Sequence, residues 1–145
     1  MKILSSNVPE SIGKDVTIAG WVAARRDHGK LLFFDIRDRE GIVQVVVESN
    51  NTDVYRTADA LRPEDVVEIS GKVMHRPKGM ENLDISTGGI EISATSIRVF
   101  SRAKTTPFEI GDTRDISEEL RMQYRYLDLR SPRMRRHLQA RDQVN

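Results

Sequence analysis

The sequence contains no cysteine. That excludes a disulfide framework and a thiolate metal site, and it fits a reducing cytoplasm. Long apolar runs are missing as well. Every apolar stretch is far shorter than the roughly 20 residues a membrane helix needs, so no membrane association is expected. Residues 1–10 hold one lysine and no apolar run, which is not the pattern of a secretory leader. His28, His75 and His137 are widely separated and show no metal-ligand spacing, so no metal site is expected. An excess of either charge is also lacking: 23 lysines and arginines face 22 acids, for a net charge of +1. Net charge therefore does not announce a nucleic-acid binder. Its distribution is more telling, because a phosphate backbone feels the local field. Between positions 121 and 141 stand seven arginines and one acid, Asp128. A second basic cluster is Arg25–Arg26, followed by Arg37 and Arg39. There is no internal repeat and no low-complexity tract.

What is present suits one domain of ordinary size. The chain has 145 residues, 38% of them hydrophobic, enough to bury a core. Much of the first hundred residues alternates with period two. Residues 17–27 predict a long strand with Gly20 at a bend, and Asp27-His28-Gly29-Lys30 predicts a turn. Residues 31–38 and 42–48 predict a hairpin around Arg39-Glu40-Gly41. Residues 51–62 change to helical spacing, with Val54, Tyr55, Ala58 and Leu61 on one face and Pro63 as a stop. Residues 65–75, broken at Gly71, and residues 90–100 predict two more strands. The alternation of the last slips near Ala94 to Ser96, as at a bulge. Between them, residues 76–89 form a long polar loop. The fold class expected is mainly β: a five-stranded OB-fold barrel with a helix between strands three and four. Residues 101–120 predict a linker, and residues 121–145 a helical segment.

The phase of the hairpin separates a core face from a mixed one. Leu32, Phe34 and Ile36, with Val43, Val45 and Val47, face the core. Phe33, Asp35, Arg37 and Gln44 lie on the other side, where an OB barrel binds single-stranded oligonucleotides. Unpaired bases are read by stacking on aromatics and by hydrogen bonds to their edges. Phe33 suits the first task. Gln44 suits the second, since an amide both donates and accepts. Glu91, on the outer face of the last strand, can accept from a cytosine amino group, and Arg26 can hold a phosphate or a base edge. Bland readings stand beside these. An exposed Phe33 can be an ordinary surface residue, His28 a solvated turn residue, Trp21 a core residue or a partly covered platform, and Arg37 to Gly41 a charged turn. The loop from Arg76 to Asn82 can be a plain connection or an RNA contact.

Several segments resemble the bacterial branch of the aspartyl-tRNA synthetases. They are Gly20-Trp21-Val22, Arg25-Arg26-Asp27-His28-Gly29, Phe33-x-Asp35-x-Arg37-Asp38-Arg39-Glu40-Gly41-Ile42-Val43-Gln44-Val45, Glu81-Asn82, Thr87-Gly88-x-Ile90-Glu91 and Tyr124-Arg125-Tyr126-Leu127-Asp128-Leu129-Arg130. The resemblance spans essentially the whole chain. The last segment is shared with lysyl enzymes and marks only the subclass. The resemblance implies an anticodon-binding domain at residues 1–100, a hinge at 101–120 and the start of a class II catalytic domain at 121–145. It implies that Phe33 stacks on the central anticodon uridine, that Gln44 hydrogen-bonds it, and that Glu91 reads an end base. Arg26 and Asn82 are further implied contacts. His28 and Gly79 resemble the branch that charges both the aspartate and asparagine tRNAs, although Met80 stands where many relatives carry a polar residue. The implied parent is a cytoplasmic, homodimeric aspartate–tRNA ligase that uses ATP and Mg. The signatures that hold ATP do not occur in these residues, so the chain alone is expected to bind tRNA, to need no cofactor and to have no catalytic residue. Three alternatives are kept: the matching domain of a lysyl or asparaginyl synthetase, a free-standing single-strand binder, and a subunit-contact domain.

Overall fold

A computed structural model describes residues 2–144; Met1 and Asn145, at the outer ends of the expected domains, lie outside the described residues. The chain forms two compact units, one running to Lys104 and the other starting at Thr105.

In the first unit, five strands close into a barrel: β1 (Asp15–His28), β2 (Leu31–Arg37), β3 (Ile42–Glu48), β4 (Val66–His75) and β5 (Ile90–Ser101). Their order around the barrel is β1-β2-β3-β5-β4. All pairings are antiparallel except the short β3–β5 closure, where Val45 faces Ile92 and Val46 faces Ser93. Helix α1 (Thr52–Asp59) lies between β3 and β4, as the change of period predicts.

The long β1 serves two partners. Its first half pairs with β4 and its second with β2, both ladders meeting at Trp21. Gly20 sits where the strand changes partner. A Cβ there would lie 2.3 Å from the Arg37 carbonyl oxygen, so only glycine allows the approach. A register shift follows between Val22 and Ala24, re-aiming the strand's end. The slip expected in β5 is also a bulge: Ser70 faces Ser96 and Gly71 faces Ala94, leaving Thr95 over. At Gly71, β4 stays continuous rather than breaking.

The core is the predicted face. Leu32, Phe34, Ile36, Val43, Val45 and Val47 are buried with Val22, Ile69 and Ile92. Some expectations change. Of the two readings of Trp21, the structure matches the partly covered one: it is half-buried at the ladder junction and not in the core. Helix α1 ends at Asp59, short of the expected Arg62; Leu61 is buried but its amide donates to Ala58 in a turn. A 3-10 helix (Ser5–Ser11), unforeseen in the sequence, packs Val8 into the core.

In the second unit, Phe108 and Ile110 are buried with Leu127, although both fall in the stretch read as a linker. Helices α2 (Glu118–Gln123), α3 (Arg125–Asp128) and α4 (Pro132–Val144) follow. Ser117 caps α2 by accepting from the Leu120 amide at 3.3 Å. Asp128 is fully buried, with Arg125 donating to it at 2.6 Å. Helix α4 carries no buried residue.

Candidate nucleic-acid interface

The outer face of β1, β2 and β3 gathers the side chains that the alternation placed there. Directly paired residues of neighbouring strands share a face, and the ladders put Arg26 opposite Phe33 and Asp35 opposite Gln44. These contacts build a chain of polar groups. Arg26 grips Asp35 with both ends of its guanidinium, Nη1 to Oδ2 at 2.7 Å and Nη2 to Oδ1 at 2.8 Å. The same Nη2 donates to Gln44 Oε1 at 3.2 Å. Gln44 Nε2 in turn donates to Glu91 Oε2 at 2.8 Å, joining β3 to β5. The carboxylate of Asp35 raises the Arg26 pKa through the side-chain hydrogen bond and its charge, against a smaller opposing effect of burial. Arg26 is therefore a fixed positive charge on this face.

Exposure grades along the chain. Arg26 is exposed, Phe33 and Asp35 are half-buried, and Gln44 and Glu91 are buried. The outer face of β3 is thus more covered than simple alternation implies, because β3 is flanked by β2 and β5 and long side chains from both sides reach over it.

His28 is exposed at the end of β1, and its ring meets Phe33 edge to face, with centroids 5.4 Å apart at 89°. It thus touches the aromatic of the outer β2 face while remaining exposed to solvent. The neighbouring turn is held by Tyr55 of α1, whose hydroxyl donates to the Gly29 carbonyl at 3.1 Å, and by the Gly29 amide on Asp27 at 2.9 Å.

Gly79 and Asn82 lie in the exposed β4–β5 loop, not in the side-chain network. Gly79 has φ +87°, which glycine adopts without strain, and its amide donates to Glu81 at 2.8 Å. Asn82 accepts from the Asp84 amide at 3.0 Å, and its own amide donates to the Gly88 carbonyl at 3.0 Å. Met80 and Leu83 are exposed beside them. Arg76, at the start of this loop, is buried and donates Nε to the Ile90 carbonyl at 3.0 Å.

Adjacent arginines have divided their labour. Arg26 joins the outer network, while Arg25 leaves it to grip the end of α1 through the Asp59 carboxylate and carbonyl, both at 2.7 Å. Arg37 pairs with Glu64 at 2.8 Å in a largely covered bridge. Asp38 accepts from the Ser5 amide and hydroxyl, each at 2.6 Å, and from the Glu40 and Gly41 amides. The charged-turn reading of Arg37 to Gly41 is therefore apt, but this turn is anchored to the 3-10 helix. The residue without an assigned role in the sequence is Asp35. Its signal was its phase, shared with Phe33 and opposite Gln44.

The arrangement can stack a planar group on Phe33, accept from an amino group at Glu91 and attract a phosphate at Arg26. Among the described residues no group of histidine and acidic side chains could hold a metal ion, and no helix is long and apolar enough to cross a membrane.

Residues 16–100 match the OB-fold nucleic acid binding domain family. The chain belongs to that family. Over 136 residues it is 49% identical to the aspartate–tRNA(Asp/Asn) ligase of Halothermothrix orenii, covering 93% of this chain and 23% of that protein. The chain thus spans about a quarter of the length of the curated relatives it matches. The asparaginyl-tRNA synthetase from Pyrococcus horikoshii aligns with a TM-score of 0.77 and 32% identity, over 90% of this chain and 30% of that one. The aspartyl-tRNA synthetase from Entamoeba histolytica, at 22% identity and a TM-score of 0.79 over 90% of this chain and 32% of that one, shares the fold. Within the OB-fold family, the β2–β3 face bearing Phe33 and Gln44 is the usual ligand face.

Proposed function

We propose that this chain is the anticodon-reading portion of an aspartate–tRNA ligase, whose whole protein attaches aspartate to tRNA using ATP and Mg. The observation that carries the reading is the meeting of Phe33, Arg26, Gln44 and Glu91 on one face of the barrel. Phe33 stacks on the central uridine of the GUC anticodon. Gln44 hydrogen-bonds its edge. Glu91 accepts from the amino group of the terminal cytosine, and Arg26 contributes positive charge. Asn82 and Gly79 supply the β4–β5 loop, and His28 the β1–β2 end, that border the groove.

The spans follow the same reading: anticodon-binding domain at 1–100, hinge at 101–120, and the beginning of a class II catalytic domain at 121–145. The parent is cytoplasmic and homodimeric. The fragment binds the tRNA anticodon loop and, holding no ATP-binding signature, does not itself catalyse aminoacylation. The relatives named for both aspartate and asparagine tRNAs support a relaxed specificity at the third anticodon base, as do His28-Gly29 and Gly79.

The deciding experiment is equilibrium binding of the chain to a GUC anticodon stem-loop and to an unrelated stem-loop of equal length. Clear preference for GUC is expected. Equal affinity that grows with the length of any single strand would make the chain a general single-strand binder. No affinity for either would point to a protein-contact domain.

A further inference from the structure

We propose that Asp35 is a positioning residue: through Arg26 it locks the Gln44 amide in one orientation, and this lock lets Gln44 tell uracil from cytosine. The inference rests on the anticodon reading above.

The orientation follows from the neighbours. A guanidinium only donates and a carboxylate only accepts. Gln44 bridges one of each, with Arg26 Nη2 at 3.2 Å and Glu91 Oε2 at 2.8 Å. Its carbonyl end must therefore face Arg26 and its amino end Glu91. An end-for-end turn would set donor against donor and acceptor against acceptor. Each end keeps one further site, a second lone pair on Oε1 and a second proton on Nε2.

Uracil and cytosine differ in the polarity of the same edge. Uracil presents a carbonyl acceptor beside an N3–H donor. Cytosine presents an amino donor beside an N3 acceptor. An amide pairs with either base, but with its ends exchanged between the two. A freely turning glutamine is thus a poor discriminator, and a locked one leaves the wrong base with unpaired groups.

Arg26 can hold the lock only while it is itself held. Its side chain is 42% exposed, long and flexible, and one of its N–H groups donates to Gln44. Asp35 supplies the restraint as a two-pronged grip at 2.7 and 2.8 Å, the geometry in which an arginine is most directional. Asp35 also stands directly opposite Gln44 in the β2–β3 ladder, so the restraint and the reader share one rigid hairpin.

The test uses Asp35→Asn and Asp35→Glu in the whole 145-residue chain. Binding is measured to stem-loops carrying GUC and GCC, which differ only at the central base. Wild type is expected to prefer GUC. Asp35→Asn should cut that preference by about tenfold, the scale of one two-pronged base contact. Asp35→Glu should restore most of it. Removing a negative charge near RNA by itself raises affinity for both stem-loops alike. A ratio that stays fixed while both affinities rise would therefore overturn the proposal.

The lock is also tested without RNA, from the Gln44 side-chain amide resonances of the free protein. Asp35→Asn should shift them and speed their proton exchange. Unchanged resonances would overturn the proposal, as would loss of the folded spectrum, which would make Asp35 a scaffold residue. Equal wild-type binding to the two stem-loops would defeat the anticodon reading of Gln44. The amide spectrum would still decide the lock.

Discussion

Asp35 and Asp38 stand three residues apart near one end of the β2–β3 hairpin, and their described partners differ in kind. Asp38 is buried and accepts from two backbone amides in its own turn, and from an amide and a hydroxyl of Ser5, 33 residues away. Its described partners are a serine side chain and backbone amides, which leave little room to move. Asp35 is half-buried and its described partner is the long side chain of Arg26. One carboxylate fastens the scaffold. The other sits in a polar chain that ends at groups a base can use. The two carboxylates differ in how much of their described partnership is backbone.

The inner and outer faces of β2 give the largest separation. Phe34 is fully buried, whereas Phe33 is half-buried beside His28. Phe34→Ala should cost about 3–5 kcal/mol of folding stability, as for a large aromatic removed from a packed core. Phe33→Ala should leave the melting transition nearly in place and weaken GUC stem-loop binding by about 1–3 kcal/mol, the loss of one base–aromatic stack. Thermal melts and binding isotherms of the two variants check this. Unfolding by Phe33→Ala with tolerance of Phe34→Ala would reverse the assignment of faces.

Asp38 comes next. Asp38→Ala strands the Ser5 amide and two turn amides, and should cost on the order of 3 kcal/mol, since hydrogen bonds to a charged group exceed neutral ones. Asp35→Ala should cost under about 1 kcal/mol, because a partly exposed ion pair contributes little to folding. Urea denaturation of both variants gives the comparison, and equal losses would erase the distinction between scaffold and site. The pH dependence sharpens it. Burial disfavours the Asp38 anion, but the Ser5 hydroxyl and the Ser5, Glu40 and Gly41 amides outweigh it and hold the pKa below the ordinary aspartate value. Asp65 is likewise depressed: burial opposes it, and the Ala103 and Arg62 amides and the Arg102 guanidinium prevail. A depressed carboxyl stabilises the fold above its unfolded pKa, and this contribution fades as pH falls through the folded one. Stability should therefore drop below about pH 4, with a shallower slope in Asp38→Asn.

Much of this fold was readable in the sequence, for reasons that are local. The strand faces follow from alternation, and the bulge at Thr95 showed as a slip in that alternation. The end of α1 was misplaced because Leu61 falls at helical spacing, yet it reaches the core from a turn. Pairings between distant segments were not readable: Ser5 with Asp38, Arg25 with Asp59, Arg37 with Glu64 and Gln44 with Glu91. Periodicity states which way a side chain points, not which remote group it meets. Phe33, Gln44 and Glu91 could thus be nominated one by one, while the network that orients them could not.

The smallest expected effect concerns the third anticodon base. The chain should bind GUC and GUU stem-loops within about tenfold, equivalent to about 1.4 kcal/mol. On the proposed reading Glu91 accepts a hydrogen bond from the cytosine amino group, so some other group must compensate uracil. His28 is the candidate, because a neutral imidazole donates at one nitrogen and accepts at the other. Its ring already touches Phe33, however, and that contact offers a competing role as a brace. Two substitutions separate the roles. His28→Leu keeps an apolar group against Phe33 and removes both hydrogen-bonding nitrogens; it should widen the GUC-over-GUU ratio while GUC binding holds. His28→Ala removes the brace as well, and should lower both affinities on top of the same change in ratio. Gly79→Lys is the poorer probe, since φ +87° at that position strains any side chain regardless of what the lysine would touch. If His28→Leu leaves the ratio where it was and His28→Ala weakens both stem-loops equally, the imidazole supports Phe33 and the relaxed reading must be carried by another group.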